Sequence, residues 1–457
     1  MGKRFNSEGV KAVYVRSSSR GAAARRAPRN ALRSRFPFID SLAPALAPAA
    51  ALIFGAGCGT QFPLPFGDSE AGLSASIVDN DIGPASFDGA PNDRFEQAQP
   101  VDLVNGRGIV YGSITDPEDI DVYDVGAVFP GDRVVARIET TGELDGAISL
   151  MDEAGTIQLI DDFRNIVMGQ KGTFVDVIIR RATDACFVAA SAAPGYRANG
   201  RYTLSITRET GYELPAARPD RILLVFDGGS DVKISNRPVV DCPPFDATKI
   251  SSRFRGKSRS MIELVTARVR ADYAPFDVEI LSTAEGDKFD SRMTRVFFGT
   301  FDEDLLGIAQ GVDEFNVLPA QSAIVFTDTF AAFERLRPSV SQMSDALANV
   351  ASHEIGHLLG LVHTSDSLGI MDVTASLKQM LVPQHFRRSP VHEDVFPLGW
   401  EDEVQSLLDS VGGDPILAFG GKLPNNRVQV HERAILRPML PKRDEVFSSC
   451  SLMEEHP

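Results

Sequence analysis

Three histidines and one glutamate are spaced so that they could bind a metal ion and use it. His353, Glu354 and His357 form the pattern H-E-x-x-H, and His363 follows. Residues four apart share one face of a helix, so the two imidazoles of the pattern can reach one metal while the glutamate stays near its open position. Gly360 can enter the left-handed conformation that ends a helix, and the turn then returns His363 as a third ligand. Three neutral imidazoles leave a tetrahedral Zn²⁺ one position for a water whose pKa falls towards about 7.

The short pattern alone could also be an exposed, salt-bridged helix face, but a second segment supports the metal site. The segment Gly369-Ile370-Met371-Asp372 comes soon after His363 and resembles the Met-turn of the metzincin metallopeptidases, where Met371 would form a hydrophobic floor beneath the histidines. This resemblance implies a zinc peptidase, and the alternative is a metal site without proteolysis. Some branches of the family carry a tyrosine ligand after the methionine. Val373 and Thr374 stand there instead, which favours a matrixin-like site over an astacin-like one.

The histidine helix must begin at a cap and pack on a core. Ser341 or Ser344 can cap its N-terminus, because a serine side chain accepts hydrogen bonds from the first free N–H groups of a helix. Leu347, Val350 and Leu358 supply its apolar face. We interpret these apolar residues as core and not as chemistry.

The residues before this helix predict the sheet that it packs on. Ile262, Val265, Val269 and Tyr273 recur at helical spacing, which predicts an amphipathic helix that ends before Pro275. Another helix is predicted over residues 401–410. Strands are predicted from runs of β-branched and aromatic residues at 222–226, 276–280, 295–298 and 323–327.

This order of elements extends the resemblance. Residues 220–400 look like exported bacterial metallopeptidases of matrixin type, with matching segments at 274–278, 311–316 and 396–400. The resemblance implies an α+β metzincin catalytic domain over residues 220–410, with a mixed sheet, helices, the zinc helix and the Met-turn. Residues 411–457 form a C-terminal tail to which the sequence assigns no role.

Composition and charge indicate a globular protein of more than one domain and exclude some classes of partner. The chain has 457 residues, of which 43% are hydrophobic and 24% charged, enough for two or three domains with their own cores. The first 58 residues hold ten basic side chains and two acidic ones, so the remainder carries 36 basic against 60 acidic side chains, a net charge of −24. Such a balance argues against nucleic acid and anionic membrane surfaces as partners.

Residues 1–58 have the layout of an export signal. A basic segment leads into a short apolar run over 41–54 that prolines interrupt, and Gly55-Ala56-Gly57-Cys58 follows. Small residues directly before a cysteine resemble a bacterial lipobox, which makes Cys58 the candidate for lipidation and for the mature N-terminus. The sequence therefore predicts an extracytoplasmic protein, secreted or anchored to a membrane by lipid. The alternative is an uncleaved N-terminal anchor.

Residues 91–212 predict an all-β domain that precedes the catalytic domain. Residues 59–90 are rich in Gly, Pro, Ser and Asp, as in a linker. Short β-type runs separated by turn signals then suggest an antiparallel sandwich without helices. The seven predicted strands are 108–112, 121–125, 133–138, 147–151, 174–179, 186–190 and 202–206.

Motifs in this region are similar to the bacterial pre-peptidase C-terminal domain, a small β-sandwich found beside secreted peptidases. They are the segments at 92–98, 112–114, 119–123, 131–132 and 200–204. The placement before the catalytic domain departs from the usual C-terminal position of that module.

Other candidate sites are weaker. An acidic turn, Asp116, Glu118, Asp119, Asp121 and Asp124, could bind Ca²⁺ through oxygen ligands, or it could be a solvated loop whose aspartates close turns.

The remaining cysteines and histidines give less information about function. Cys186, Cys242 and Cys450 leave room for one disulfide, for instance between Cys242 and Cys450. His385 and His392 are better explained as surface histidines than as ligands, although the segment after a Met-turn lines the cleft in this family.

The sequence thus predicts an exported zinc endopeptidase that acts on protein or peptide substrates. His353, His357 and His363 would hold Zn²⁺ and Glu354 would be the general base. The alternative is a surface binding protein with a structural or silent zinc site. The two differ in the fourth metal position, because structural zinc is usually closed by four protein ligands.

Overall fold

The computed structural model describes residues 85–89, 91–161, 173–195, 199–235, 237–318 and 320–420. The predicted export signal with Cys58, most of the predicted linker 59–90, Cys450 and the tail beyond residue 420 lie outside the described residues. Within them, no helix has the length and apolar content to cross a membrane.

Two five-stranded sheets make up the region before residue 210. The first sheet has the order β1-β3-β10-β5-β8 and the second the order β2-β4-β9-β6-β7. Each of the seven predicted strands coincides with an observed one, and β1, β2 and β7 were not predicted. The strands are β1 (Ala85–Phe87), β2 (Gln99–Pro100), β3 (Arg107–Ile114), β4 (Ile120–Asp124), β5 (Arg133–Gly142), β6 (Gly146–Asp152), β7 (Ile157–Asp161), β8 (Thr173–Ile178), β9 (Cys186–Ala192) and β10 (Gly200–Glu209).

The two sheets share one apolar core, but the faces that point away from this core differ in their exposure to solvent. Side chains from β5 and β10 of the first sheet and from β6 and β9 of the second meet in this core. β5 alternates between buried and half-buried residues from Arg133 to Ile138, as expected for a strand with one solvated face. In contrast, β6 is buried at every position from Gly146 to Met151, and β9 is buried throughout. The second sheet is therefore covered on both faces.

The region from residue 220 onwards centres on a mixed sheet of order β14-β11-β15-β17-β16. Four of its strands are parallel, and the edge strand β16 runs antiparallel to β17. The strands of this region are β11 (Asp220–Val225), β12 (Gly229–Val232), β13 (Val240–Cys242), β14 (Val278–Ser282), β15 (Thr294–Phe298), β16 (Gly307–Ala309), β17 (Ser322–Val325), β18 (Arg388–Pro390) and β19 (Trp400–Asp402).

Helices pack on one face of this mixed sheet. The α-helices are α1 (Ala247–Ile250), α2 (Ser258–Tyr273), α3 (Val340–Leu358), α4 (Glu403–Ser410) and α5 (Pro415–Ala418). Single-turn and longer 3₁₀ segments lie at Phe95–Gln97, Ser252–Phe254, Thr283–Glu285, Thr327–Leu336 and Gln379–Leu381. The apolar sides of α2 and α3 join the sheet in the largest core of the described residues. Mixed sheets plus helices fit the α+β class expected for this region.

Two predicted helix starts are wrong by a few residues, and in each case a better cap lies nearby. Helix α3 is capped by Ser339, whose side chain accepts from the backbone N–H of Gln342 while the Gln342 side chain accepts from the N–H of Ser339. This reciprocal capping box satisfies two free N–H groups, so it outcompetes Ser341 or Ser344. Helix α4 begins at Glu403 and not at residue 401, because Asp402 caps it.

The segment between the two predicted domains, residues 213–219, is held by contacts on both sides. The backbone N–H of Arg218 donates to Ser410 O at 2.8 Å, and Arg180 Nη1 donates to Pro215 O at 2.6 Å. The described residues from 85 to 420 belong to one compact unit. The domain limits 91–212 and 220–410 stay predictions.

Candidate metal site

Helix α3 presents two histidine side chains on the same face. His353 and His357 are one helical turn apart, and their Nε2 atoms lie 3.1 Å from each other. Gly356 lies between them on the side of Met371, where an added Cβ would come within 2.5 Å of the Met371 sulfur. A glycine at this position therefore lets the residue beneath approach the helix closely.

The chain reverses after α3 and returns the third histidine. Gly360 has a φ of 102°, which is the left-handed conformation that glycine adopts without penalty. The N–H of Gly360 donates to His357 O at 3.0 Å, and that of Leu361 donates to Gly356 O at 2.9 Å. As a result, the ring of His363 lies 4.7 Å from that of His357 and 5.3 Å from that of His353, between centroids.

One ligand atom from each of the three histidines lies within 4.8 Å of the others, and this is the only such group of three or more candidate ligands among the described residues. All three side chains are buried. The structure therefore brings together the three residues that the sequence selected as metal ligands.

Backbone carbonyls fix the tautomers of the two helix histidines. Nδ1 of His353 lies 2.8 Å from Ile370 O, and Nδ1 of His357 lies 2.8 Å from Leu361 O. A carbonyl oxygen can only accept, so each Nδ1 carries the proton and each Nε2 presents its lone pair to the centre of the site. This is the arrangement that a ligating imidazole needs.

Burial keeps these imidazoles neutral. It lowers the pKa of His353 to about 3, with the neighbouring His357 adding to the effect, and it lowers the pKa of His357 to about 4. The pKa of His363 is well below its ordinary value, first through burial and then through the nearby histidines. Neutral nitrogen donors are the form that binds Zn²⁺.

Three buried polar atoms at the centre have no hydrogen bond of normal geometry within the described residues. They are Nε2 of His363 and both carboxylate oxygens of Glu354. Burial raises the pKa of Glu354 well above its usual range, and the N–H of Ala309 opposes this only in part. Because buried polar groups are nearly always paired, such orphans indicate a missing partner. A metal ion with a bound water would suit both groups, because the metal would accept the nitrogen lone pair and the water would hydrogen-bond to the carboxylate.

Glu354 faces the edge strand of the sheet. A Cβ at Gly307 would overlap Glu354 Oε1, so the glycine leaves room for the carboxylate. Leu306 O accepts from Phe326 N, and Gln310 N donates to Ser322 O, so residues 306, 308 and 310 face β17. The backbone groups of Gly307 and Ala309 then point away from the sheet, next to Glu354. This short strand was not predicted, because three residues are too few to show an alternating pattern.

Met371 lies against helix α3 at Gly356. Its side chain is fully buried, and its sulfur is the nearest neighbour of Gly356. Its carbonyl accepts from the N–H of Thr364 at 2.8 Å, which joins the segment to the residue after His363. The position of Met371 as a floor beneath the histidines stays a prediction.

A cavity that is partly open to solvent lies beside His353. Its polar wall residues are already engaged: Asn349 Nδ2 donates to Met380 O and Val382 O, and Asp372 accepts from Thr374. The remaining lining is largely apolar. The cavity is lined by Leu306, Asn349, Val350, His353, Ile370, Asp372, Val373, Ala375, Met380 and Gln384.

The other candidate residues lie elsewhere. The His385 side chain is exposed, and His392 acts through its backbone, whose N–H donates to His363 O at 2.9 Å. In the acidic turn, Asp119 accepts from Thr115 and Asp121 accepts from Tyr202. The Ca²⁺ site stays a prediction.

Glu403 is a buried residue near the site that sequence reasoning missed. Its carboxylate accepts from the hydroxyl of Thr364 at 3.3 Å and from the N–H of Arg387 at 3.0 Å. It thus braces the residue next to His363. The sequence signal was weak, because a glutamate in the first turn of a helix usually faces solvent.

Comparison with known proteins supports the same reading of this region. Residues 287–386, about a fifth of the chain, match the family model Matrixin. The matched segment contains the three histidines, Glu354 and Met371. This match supports a metzincin-like zinc metallopeptidase at a distant level. No curated protein matches the chain.

Similar solved structures include two archaemetzincins. The one from Methanopyrus kandleri is 15% identical, covers 36% of this chain and 87% of its own, and has a TM-score of 0.22. The one from Archaeoglobus fulgidus is 13% identical, covers 36% and 92%, and has a TM-score of 0.19. The periplasmic inhibitor of g-type lysozyme from Aeromonas hydrophila is 8% identical, covers 28% and 100%, and has a TM-score of 0.20. Scores this low carry no argument about the present chain.

Proposed function

We propose that this protein is a zinc endopeptidase in which His353, His357 and His363 hold Zn²⁺ and Glu354 is the general base. One observation carries the proposal: three neutral, buried imidazoles converge beside the buried carboxylate of Glu354. When bound, zinc acidifies a water and polarises the scissile carbonyl. The donor set suits this ion, because three histidines leave one position open.

Glu354 has the position and environment for proton transfer. In the proposed reaction its carboxylate takes a proton from the attacking water and gives it to the amine nitrogen as the peptide C–N bond breaks. The buried position of Glu354 shields the carboxyl group from bulk water while it holds the proton between these two events.

The substrate would lie extended along β16. The backbone N–H and C=O of Gly307 and the C=O of Ala309 point away from β17 and can pair with a peptide strand, as at other open sheet edges. A side chain next to the scissile bond would then enter the cavity beside His353, whose lining favours an apolar residue. We also take Met371 to be the Met-turn residue of a metzincin-type domain.

The alternative of a surface binding protein with a structural or silent zinc site has less support. Structural zinc usually has four protein ligands, and the described residues bring together three. A catalytic site needs the open fourth position.

Glu354→Gln tests the proposed function. Glutamine keeps the size of the side chain but cannot accept a proton, so hydrolysis of unfolded protein and of a peptide library should fall by about 10²–10⁴-fold while one zinc stays bound. Glu143→Gln, at an exposed glutamate of the N-terminal region, is the matched control and should keep full activity. A Glu354→Gln chain that cleaves as fast as wild type would rule out the proposed base.

For the N-terminal part we propose export and lipidation of Cys58, and a pre-peptidase-like β-sandwich over residues 91–212. The support is the order of basic segment, apolar run and Gly-Ala-Gly-Cys, together with the sandwich motifs. A fatty-acid analogue should label the wild type and not Cys58→Ala. Equal labelling of both would contradict lipidation and leave export as a separate question.

A further inference from the structure

The second sheet of the N-terminal region has an outer apolar face that is buried. In β6 and β9, successive side chains point to opposite faces, so Ile148, Leu150 and Val188 meet the first sheet. The residues on the opposite face form a separate apolar cluster. We call these residues the docking face: Val122, Ala147, Met151, Phe187 and Ala189.

The docking face is covered by the segment that follows the cavity wall. Val391, Val395 and Phe396 belong to the same apolar cluster, and Val362 and Leu398 pack against it. Phe396 is fully buried. We call residues 390–400 the bridging segment. It connects the metal site to a sheet that lies about 200 residues earlier in the chain.

Polar contacts fix the position of the bridging segment on the sheet. Trp400 N donates to Gly155 O at 2.9 Å, and Arg388 Nη2 donates to Ala154 O at 2.7 Å. The guanidinium of Arg388 also lies 4.6 Å from the centre of the Trp400 ring. Met151 contacts Gly399, since a Cβ there would lie 3.0 Å from the Met151 sulfur. The surface is therefore a specific interface and not an incidental apolar contact.

The other side of the bridging segment holds the stretch of chain that carries His363. His392 N donates to His363 O at 2.9 Å, and Ser365 N donates to Pro390 O at 2.9 Å. Thr364 and Val391 form a β-bridge. In contrast, His353 and His357 are held by helix α3 in the core of the mixed sheet. Of the three histidines, His363 is the one whose backbone rests on the bridging segment.

We propose that the N-terminal β region is a positioning element of the metal site: its docking face holds the bridging segment, which holds His363 at its place opposite the two helix histidines. This inference rests on the zinc site of the proposed function, but not on peptide hydrolysis. It gives the N-terminal region a task that a removable accessory module would not have.

Neighbouring residues of β6 provide a matched test in the full-length chain. Met151 and Leu150 are both fully buried, on opposite faces of the same strand. Met151→Ala and Leu150→Ala both remove buried apolar volume and should both lower the thermal stability. Zinc affinity, measured by competition with a chelator, should weaken about 10-fold or more for Met151→Ala, as when a supporting group around a metal is lost. For Leu150→Ala it should stay within about 2-fold.

Two further readouts separate positioning from general damage. The absorption spectrum of the Co²⁺-substituted chain reports the ligand set and should change for Met151→Ala but not for Leu150→Ala. Met151→Leu, which keeps the volume, should restore the wild-type affinity and spectrum. If either alanine variant does not fold, Phe187→Ala on the docking face and Val188→Ala on the inner face of β9 form an equivalent pair.

The proposal is overturned if Met151→Ala binds zinc with wild-type affinity and spectrum, or if Leu150→Ala weakens zinc binding equally. A wild type that binds zinc but cleaves no peptide would contradict the proposed function alone, because the comparison uses metal affinity and not hydrolysis.

Discussion

Two buried polar clusters in this chain differ in how completely their polar atoms are hydrogen-bonded. In the N-terminal region, the Tyr202 hydroxyl donates to Asp121 at 2.5 Å and lies 2.5 Å from the hydroxyl of Tyr123. Tyr123 in turn donates to Asp88, which also accepts from Asn92. We call these five residues the tyrosine cluster. At the metal site, by comparison, both oxygens of Glu354 and Nε2 of His363 make no hydrogen bond of normal geometry to the described residues.

This difference in hydrogen bonding suggests that the tyrosine cluster stabilises the fold and that the metal site binds a ligand. A buried polar group with its partners contributes about 0.5–1.5 kcal/mol per hydrogen bond, whereas an unpaired one costs about 1–3 kcal/mol. The tyrosine cluster joins strands β4 and β10, so it stabilises the region internally. At the metal site the donor atoms of three histidines face one another instead, which is the arrangement expected where a ligand binds.

The largest effect should come from removing one of the converging imidazoles. His363→Ala leaves two ligands, so zinc affinity should fall more than about 100-fold, beyond the loss typical of a supporting group. Chelator competition measures it. His385→Ala, at an exposed histidine outside the site, should bind zinc like wild type. Wild-type affinity in His363→Ala would remove this residue from the ligand set.

The tyrosine cluster should make the free energy of unfolding depend on pH, because it contains the titratable residue Asp121. Burial raises the pKa of Asp121 to about 7, although Tyr202 opposes it. Between about pH 4 and 7 the folded chain therefore keeps a proton on Asp121 that the unfolded chain has already released. Each unit of difference between the folded and unfolded pKa corresponds to about 1.4 kcal/mol of stability. The stabilisation is fully present below about pH 4 and is lost as the pH rises through about 7.

Asp121→Asn removes this titration and isolates it. Glu401, Asp272 and Asp313 also have raised pKa values through burial, but they are present in both chains and cancel in the difference. Denaturant unfolding at several pH values should show wild type losing on the order of a few kcal/mol relative to Asp121→Asn between pH 4 and 7. Parallel curves would mean that Asp121 does not titrate in this range.

A smaller effect is expected from Tyr202→Phe. The substitution leaves Asp121 without its hydroxyl donor in a buried place, so the free energy of unfolding should decrease by about 1–3 kcal/mol. Zinc affinity should not change, because the hydroxyl bonds only within the tyrosine cluster. Denaturant unfolding and chelator competition on the same preparation provide both values. Loss of zinc together with stability would mean that the two clusters are coupled.

The sequence predicted the local parts of this arrangement well. The spacing of His353 and His357, and Gly360 at φ 102°, are local features, and the structure places them as predicted. Strands such as β5 were predicted because alternation and turn signals are also local. The capping box at Ser339 was missed because serines nearby carry the same local signal.

The long-range parts could not be predicted from the sequence. The apolar run 186–190 indicated a buried strand, but nothing local says that Val391 and Phe396 would cover its outer face. The tyrosine cluster likewise joins Asp121 to a hydroxyl 81 positions away. Such contacts depend on how whole sheets pack, and periodicity within one element does not encode that.

The most direct measurement of the zinc peptidase claim is a zinc titration of the metal-free chain, followed by cleavage of an unfolded protein. The account predicts no cleavage without metal, a rise that ends at one zinc per chain, and the same zinc binding without cleavage in Glu354→Gln, which excludes a contaminating peptidase. A chain that takes up one zinc and cleaves neither unfolded protein nor any member of a peptide library would contradict the account and favour a surface binding protein. Cleavage that persists without metal would contradict it as well.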